Sequence, residues 1–300
     1  MIKRLACALF LVSLFAPAAY LAAQDRPLDV PYVPTKYPVV DDMLKIANIQ
    51  KTDILYDLGC GDGRIVVGAA QKYGIRAVGI DLDPDRIAES RENAQKAGVT
   101  NLVKFIEGDL FQADFKEASV LSLYLLTSVN LKLRPRILRE LKPGTRVVSH
   151  NFGMDNWKPD SSSVVTVDDI RHDVFLWIIP ANVSGAWTWT MPLGAKTVEA
   201  RMTVEQKYQF PLGSVTANGG AAVVRDMKLH GDHLSFLLDV PVDGKTTAIT
   251  FDGRTMGHTI SGTAKATIGG KEQSWAWKAS RNPAGEKAID DEPPIWNYRP

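Results

Sequence analysis

The chain has 300 residues, of which 45% are hydrophobic and 23% are charged, a globular composition that suffices for one large or two modest domains. Its formal net charge of +1 provides no basic field and argues against a nucleic-acid partner. With two cysteines, Cys7 and Cys60, and no Cys/His cluster, the sequence predicts no stable metal site.

The first segment is organised like an export signal. Two basic residues precede an apolar run over residues 5–16, and small residues follow it up to Ala23. This order predicts a secretory signal peptide over residues 1–23. An uncleaved N-terminal segment that tethers the protein to a membrane is the alternative, although the run is short for a bilayer span. In both cases we expect an exported protein, either periplasmic or secreted.

Residues 24–180 predict an α/β domain with a Rossmann-like, mostly parallel sheet. After a proline-rich lead-in, apolar strand patterns alternate with helical patterns that end at glycines. Five such strands predict a parallel sheet with helices on both faces. The runs SSVVTV and RHDVFLWIIP follow without a helix between them and predict a hairpin that closes the sheet.

The loop after the first strand carries the clearest chemical signal. The stretch DLGCGDGR places Gly59, Gly61 and Gly63 between an apolar strand and a helix. Glycines permit a tight turn with positive φ, and the N–H groups at the helix start can face a ligand. The spacing differs from the G-x-G-x-x-G of dinucleotide sites, and Asp57 would repel phosphate but suit an ammonium group. A nicotinamide oxidoreductase is therefore disfavoured.

Carboxylates follow the next two strands. The second strand ends at Asp81, where a carboxylate can bind ribose hydroxyls, and the third ends at Asp109. Loops at the carboxyl ends of neighbouring strands meet where open α/β sheets bind ligands. Asp83 and Asp85 fit helix capping better than binding.

These features resemble class I S-adenosylmethionine-dependent methyltransferases over residues 36–180: the glycine loop, the acid after the second strand and the GD after the third. The resemblance implies S-adenosylmethionine as the cofactor. It implies that Asp57 and Gly59 line the methionine part and that Asp81 holds the ribose.

The same resemblance implies that Asp109 and Leu110 border the adenine. Tyr32 and Thr35 lie in the proline-rich lead-in. They either fold over the cofactor or belong to an ordinary connecting segment.

Two longer stretches narrow the resemblance. VPYVPTKYPVVDDML precedes the glycine strand, and LYLLTSVNLKLRPRILRELKPGTRVVSHNFGMDNW covers the fourth and fifth strands. They are similar to the protein-lysine methyltransferases that modify the adenine nucleotide translocase and the c-ring protein of the ATP synthase. The resemblance implies a protein substrate, with its membrane association left open, and it ends at Pro180.

Three residues are candidates for catalysis. Tyr124 ends the fourth strand and either shapes the acceptor channel or packs as a core aromatic. His150 either accepts a proton or orients the acceptor, or it is a buried histidine with satisfied ring nitrogens. Asn151 stands where family members often have an acid, which puts a general base at this position in doubt. Arg134 and Arg139 are expected to be solvated.

Residues 181–285 predict an antiparallel β domain, and residues 286–300 an irregular tail. About seven or eight short runs are separated by turns such as ANGG, VDGK and IGGK, which predicts a small barrel or a sandwich. Four tryptophans alternate along two of these runs and are expected to face a barrel interior or to form a partner surface: Trp187, Trp189, Trp275 and Trp277.

Two functions follow from these patterns. The first is an S-adenosylmethionine-dependent methyltransferase acting on protein lysine. The second is an exported, non-catalytic module that binds the cofactor or an envelope partner. The second is considered because S-adenosylmethionine is made in the cytosol and is charged, so it should not cross a bilayer passively.

Overall fold

A computed structural model describes residues 30–193, 196–242 and 245–290. The predicted signal peptide and the last ten residues of the predicted tail lie outside the described residues. Among the helices that are described, none is long and apolar enough to cross a membrane.

The described part of residues 30–180 forms the α/β half of the protein. Its elements are α1 (Tyr37–Ile46), β1 (Ile54–Leu58), α2 (Arg64–Tyr73), β2 (Arg76–Asp81), α3 (Pro84–Lys96), β3 (Val103–Glu107), β4 (Val120–Leu123), α4 (Thr127–Glu140), β5 (Arg146–His150), β6 (Ser161–Val167) and β7 (Ile170–Ile178).

These strands form one sheet in the order β3-β2-β1-β4-β5-β7-β6. Strands β1 to β5 are parallel, and β7 and β6 are antiparallel, as the predicted hairpin requires. The Rossmann-like fold prediction is confirmed. The strand order reverses between β1 and β4, and this reversal opens a crevice at the carboxyl ends of the strands.

The helices begin and end where their sequences predict. Helix α2 ends at Gly74, whose φ of 65° lets its N–H reach the carbonyl of Ala70. Helix α3 starts at Asp83, which accepts the backbone N–H groups of Asp85 and Arg86, so the capping prediction for Asp83 is confirmed. Buried apolar faces of α1, α2 and α3 pack on the sheet and form one core.

The second half is a closed antiparallel barrel. Its strands are β8 (Gly185–Leu193), β9 (Lys196–Lys207), β10 (Phe210–Ala217), β11 (Gly220–His230), β12 (His233–Val242), β13 (Lys245–Met256), β14 (Thr259–Ile268) and β15 (Lys271–Arg281). Each strand pairs with the next, and β15 returns to β8 through pairs such as Arg281 with Trp187. The structure therefore decides between the two predicted architectures in favour of a barrel.

Aromatic side chains fill the barrel interior. Trp189, Phe236, Phe251 and Trp277 pack together, with ring centroids between 4.8 and 6.4 Å apart. Trp187 is also buried, and Trp275 is half-buried. This part of the barrel is a packed core, as expected for a barrel of eight strands.

Candidate functional site

The glycine loop lies at the carboxyl end of β1, beside the reversal of strand order. Gly59, Gly61 and Gly63 all have positive φ, of 75°, 54° and 75°. A β-carbon on Gly59 would lie 2.9 Å from Cδ2 of Leu125, in the segment that follows β4. The loops after β1 and β4 are therefore in close contact, which places Tyr124 next to the glycine loop.

Asp81 is the carboxylate that organises this loop. Its Oδ2 accepts the N–H of Gly61 at 2.7 Å, and its Oδ1 accepts the N–H of Asp83 at 3.0 Å. A carboxylate has about four lone-pair sites, so these two bonds leave acceptor capacity for a ribose diol. The carbonyl of Asp81 also accepts the N–H of Gly108 at 2.9 Å, which joins the ends of β2 and β3.

Asp57 lies beneath the loop and is 2% exposed. Its Oδ1 accepts the hydroxyl of Ser122 on β4 at 2.7 Å. Burial raises the pKa of Asp57 to about 7, and the nearby carboxylates of Asp81 and Asp62 add to the rise. Asp57 therefore ties β1 to β4, and its carboxyl is protonated in mildly acidic solution.

The arginine that directly follows the loop is already neutralised. Arg64 at the start of α2 contacts Asp62, with 2.5 Å between Nη2 and Oδ2, and donates from Nη1 to the carbonyl of Thr35 at 2.8 Å. A phosphate would find no free charge on this arginine. The remaining acceptor capacity of Asp81 fits a ligand with ribose hydroxyls, which agrees with S-adenosylmethionine.

Residues 32–36, which we name the N-terminal strap, lie over the glycine loop. The ring of Tyr32 contacts Gly61, and the guanidinium of Arg86 stacks on that ring at 4.6 Å from its centroid. Thr35 is buried. The strap thus lies over the glycine loop. Contact of Tyr32 and Thr35 with the cofactor stays a prediction.

Tyr124, His150 and Asn151 come together at the ends of β4 and β5. The rings of Tyr124 and His150 are in contact, with centroids 3.9 Å apart and planes tilted by 31°. Burial raises the pKa of Tyr124, and a hydrogen bond with Asn151 partly offsets the rise. The side chain of Asn151 also accepts the backbone N–H of Asp173 at 2.9 Å, so the amide braces β5 against β7.

Both ring nitrogens of His150 have protein partners. Nδ1 lies 3.3 Å from Oγ1 of Thr35, and Nε2 lies 2.9 Å from Nδ1 of His172. His150 is 1% exposed, and burial, with a smaller effect of His172, lowers its pKa to about 4. This geometry favours the buried, satisfied histidine over a residue with a free lone pair for the acceptor.

Sequence reasoning missed His172. The pairing of β5 with β7 sets His150 opposite Val174, and His172 lies two residues away on the same face. The hydrogen bond between the two histidines follows from this register. The only sequence signal for it was the predicted hairpin, which brings β7 to the edge of the parallel sheet. Among the described residues, Nε2 of His172 is buried without a hydrogen-bond partner.

Asp109 and Leu110 lie at the carboxyl end of β3, half-buried. The carboxylate of Asp109 accepts the backbone N–H of Phe111 at 2.8 Å and the side chain of Gln112 at 3.3 Å. The aspartate therefore stabilises its own turn at the edge of the crevice. A border with adenine stays a prediction for both residues.

The comparisons with known proteins place this arrangement among methyltransferases. A sequence profile described as the ANTKMT methyltransferase domain matches residues 57–161. A protein-lysine N-methyltransferase of Saccharolobus islandicus (strain REY15A) is 46% identical over 151 residues, which are 50% of this chain and 94% of that protein. The Mus musculus adenine nucleotide translocase lysine N-methyltransferase is 35% identical over 133 residues, 44% of this chain and 57% of that protein.

A solved structure is similar over the same extent of chain as the archaeal relative. It is described as an RNA methyltransferase from Salinibacter ruber in complex with S-adenosyl-L-homocysteine. It is 53% identical, covers 50% of this chain and 96% of its own, and has a TM-score of 0.47. The family profile ends at residue 161, so the barrel lies outside it.

Proposed function

Because the chain belongs to the ANTKMT family of S-adenosylmethionine-dependent methyltransferases, we propose that it transfers methyl groups to a lysine side chain of a protein. One observation carries this proposal. The 46% identity to the Saccharolobus islandicus protein-lysine N-methyltransferase extends over 94% of that protein.

The glycine loop and its neighbours supply the cofactor site. When bound, S-adenosylmethionine supplies a methyl group activated by a positively charged sulfur. Asp81 has the free lone pairs to accept ribose hydroxyls, and the paired Arg64 leaves the loop without a charge that would select phosphate. The strap shields the loop from water through the ring of Tyr32.

The residues at the ends of β4 and β5 position and desolvate the incoming lysine amine, and they do not act as a base. His150 has both nitrogens bonded to protein, and the amide of Asn151 cannot take up a proton. A lysine ammonium loses its proton more readily when it leaves water, because desolvation lowers its pKa. We therefore propose that the amine gives its proton to solvent on entering, and that the ring of Tyr124 then holds it in line, which contributes several kcal/mol.

The test is methyl transfer from radiolabelled S-adenosylmethionine to proteins of cytosolic and membrane extracts, followed by mass spectrometry of the labelled peptides. We expect methylated lysine. Label found in an RNase-sensitive fraction, or on a residue other than lysine, would contradict the proposal. Cofactor binding without any transfer would instead support the non-catalytic module.

We propose in addition that the protein is exported to the periplasm or secreted, on the pattern of residues 1–23. Such an enzyme would meet protein substrates outside the cytosol, including membrane-associated ones. Cell fractionation of the full-length chain, with the mass of the purified protein, tests this proposal. An intact N-terminus in the soluble cytosolic fraction would contradict it.

A further inference from the structure

The loop from residue 151 to 160, which we name the acceptor loop, connects β5 to β6. It begins directly after His150, and the ring of Phe152 lies 6.1 Å from the ring of Tyr124, between centroids. The course of this loop therefore sets one wall of the space beside Tyr124.

Helix α4 holds the acceptor loop from one side. Asn130 donates from Nδ2 to the carbonyl of Phe152 at 3.0 Å, and Arg134 donates from Nη1 to the carbonyl of Met154 at 3.0 Å. Asn130 and Arg134 are four residues apart and share one face of the helix. Arg134 is thus a half-buried contact of the loop, and the expectation that it is solvated holds only for part of its side chain.

The barrel holds the loop from the other side through the turn between β9 and β10. Tyr208 donates its hydroxyl to Oδ1 of Asn156 at 2.7 Å, and its ring stacks on Trp157 with centroids 5.6 Å apart. Gln209 accepts the indole N–H of Trp157 at 3.0 Å and donates to the carbonyl of Lys158 at 2.9 Å. Both the oxygen and the nitrogen of the Gln209 amide therefore form hydrogen bonds with the acceptor loop.

The two supports meet at one atom. Oδ1 of Asn156 also accepts from Nη1 of Arg134 at 2.9 Å, and that guanidinium lies 5.5 Å from the centroid of the Tyr208 ring. Trp157, Tyr208 and Gln209 are at most 8% exposed, whereas Asn156 lies at the exposed edge of the junction. The buried bond between Trp157 and Gln209 therefore fixes geometry better than an exposed bond does.

The backbone conformation of this turn indicates that Tyr208 has a role beyond joining β9 to β10. Tyr208 has a φ of 52°, a conformation that bulky residues rarely adopt. An Asn-Gly turn would join the same strands without this strain, but it would carry no aromatic ring or hydroxyl. Strained residues persist where the surrounding contacts hold them, and they cluster at functional sites.

We infer that Tyr208 and Gln209 are positioning residues: through Asn156 and Trp157 they hold the acceptor loop in the course that the methyl acceptor requires. The inference rests on the proposed lysine methyl transfer. It gives the barrel a part in the reaction, although the archaeal relative is matched over 94% of its length within 151 residues and so has no room for such a domain.

The experiment compares the full chain with Tyr208→Phe, which removes one hydroxyl and keeps the ring, and with Gln209→Ala. Methyl transfer to poly-L-lysine is measured, together with cofactor affinity by calorimetry. Tyr208→Phe loses one hydrogen bond and Gln209→Ala loses two, and each variant is expected to raise KM for poly-L-lysine about tenfold or more while the cofactor Kd changes less than about twofold. Trp189→Phe, in the barrel interior away from the junction, is the matched control and should leave KM unchanged.

A double-mutant cycle tests the coupling directly. Asn156→Ala and Tyr208→Phe remove the same bond, so the double variant should be no worse than the poorer single variant. Additive losses, or a lower melting temperature with an unchanged KM in both barrel variants, would overturn the inference.

A measurement without an acceptor separates this inference from the proposed function. Hydrogen exchange of peptides covering residues 151–158 should accelerate in Gln209→Ala and stay at the wild-type rate in Trp189→Phe. Should the wild-type chain methylate no protein, the proposed function fails, whereas unchanged exchange in Gln209→Ala refutes the positioning role itself.

Discussion

The ring of Tyr32 lies so close to Gly61 that a β-carbon on Gly61 would sit 2.5 Å from its Cε2 atom. Gly61 also has a φ of 54°, which side chains other than glycine adopt at a cost of about 1 kcal/mol or more. The strap can therefore rest on the loop only because this position has no side chain.

Gly61→Ala should accordingly displace Tyr32 and loosen the cofactor site. We expect the S-adenosylmethionine Kd to rise at least about tenfold, since one lost contact surface of this kind is worth more than about 1.4 kcal/mol. Gly68→Ala is the control, because its β-carbon would meet only Val40 and Leu44 at ordinary distances of 3.6 and 3.8 Å inside helix α2. Equal affinities of the two variants, measured by calorimetry, would contradict the proposed contact.

Asp81→Ala removes the acceptor of the Gly61 N–H and the carboxylate proposed for the ribose. Most cofactor binding should be lost, because a buried donor is left unpaired and the ligand loses a charged partner, together about 2–4 kcal/mol. Asp83→Ala provides the comparison: it removes the cap of α3 at a cost of about 1 kcal/mol in stability and should preserve binding. Retained affinity in Asp81→Ala would refute the assignment.

Stability should respond to pH through two buried groups whose effects oppose each other. The pKa of His150 is lowered to about 4. Its contribution to the free energy of unfolding is therefore complete above pH 6.5 and is lost as the pH falls towards 4. The pKa of Asp57 is raised to about 7. Its contribution to the free energy of unfolding is therefore complete below the ordinary pKa of an aspartate and is lost as the pH rises to 7. Between pH 4 and 6.5 the free energy of unfolding therefore rises with pH through His150 and falls with pH through Asp57, and the two slopes cancel in the wild type.

Single variants should separate these slopes. Relative to the wild type, the melting temperature of Asp57→Asn should improve as the pH rises from about 4.5 to about 6.5, whereas that of His150→Asn should worsen. Each pKa shift corresponds to roughly 3–4 kcal/mol at most. Scanning calorimetry at three pH values measures both differences, and a difference that does not change with pH would show that the substituted group titrates at its ordinary pKa.

Tyr124 should act through its ring rather than its hydroxyl. Tyr124→Phe keeps the ring contact with His150 and should retain most methyl transfer. Tyr124→Ala opens the wall and should lower kcat/KM at least about tenfold with little change in cofactor Kd, because the acceptor is no longer held in line. Single-turnover transfer from labelled cofactor measures the effect. A large loss in Tyr124→Phe would instead assign the chemistry to the phenol.

The sequence was informative wherever one local signal decides the structure. The glycine loop, the capping residue Asp83 and the hairpin of β6 and β7 each follow from a short pattern with one physical reading. The sequence places Asp57 directly before the loop, and its contact with the cofactor stays a prediction, but its burial under the loop and its bond to Ser122 depend on the pairing of β1 with β4, which are 65 positions apart at these residues.

The turn at Tyr208 shows why the rest could not be predicted. The run KTVEARMTVEQKYQF reads as one strand because it contains no glycine, proline, asparagine or aspartate to mark a turn. The structure ends β9 at Lys207 and begins β10 at Phe210, with Tyr208 buried against Trp157. Contacts with a distant loop, rather than local propensity, fix this bend.

Within the described residues, the core of the barrel and the core around α1 to α3 have no side chain in common. A lineage could therefore gain or lose the barrel without repacking the catalytic half. One coupling between the two halves is the junction, where a change at Asn156 must be matched at Tyr208, and one at Trp157 at Gln209. These four positions should be inherited together, while the interior of the barrel diverges at its own rate.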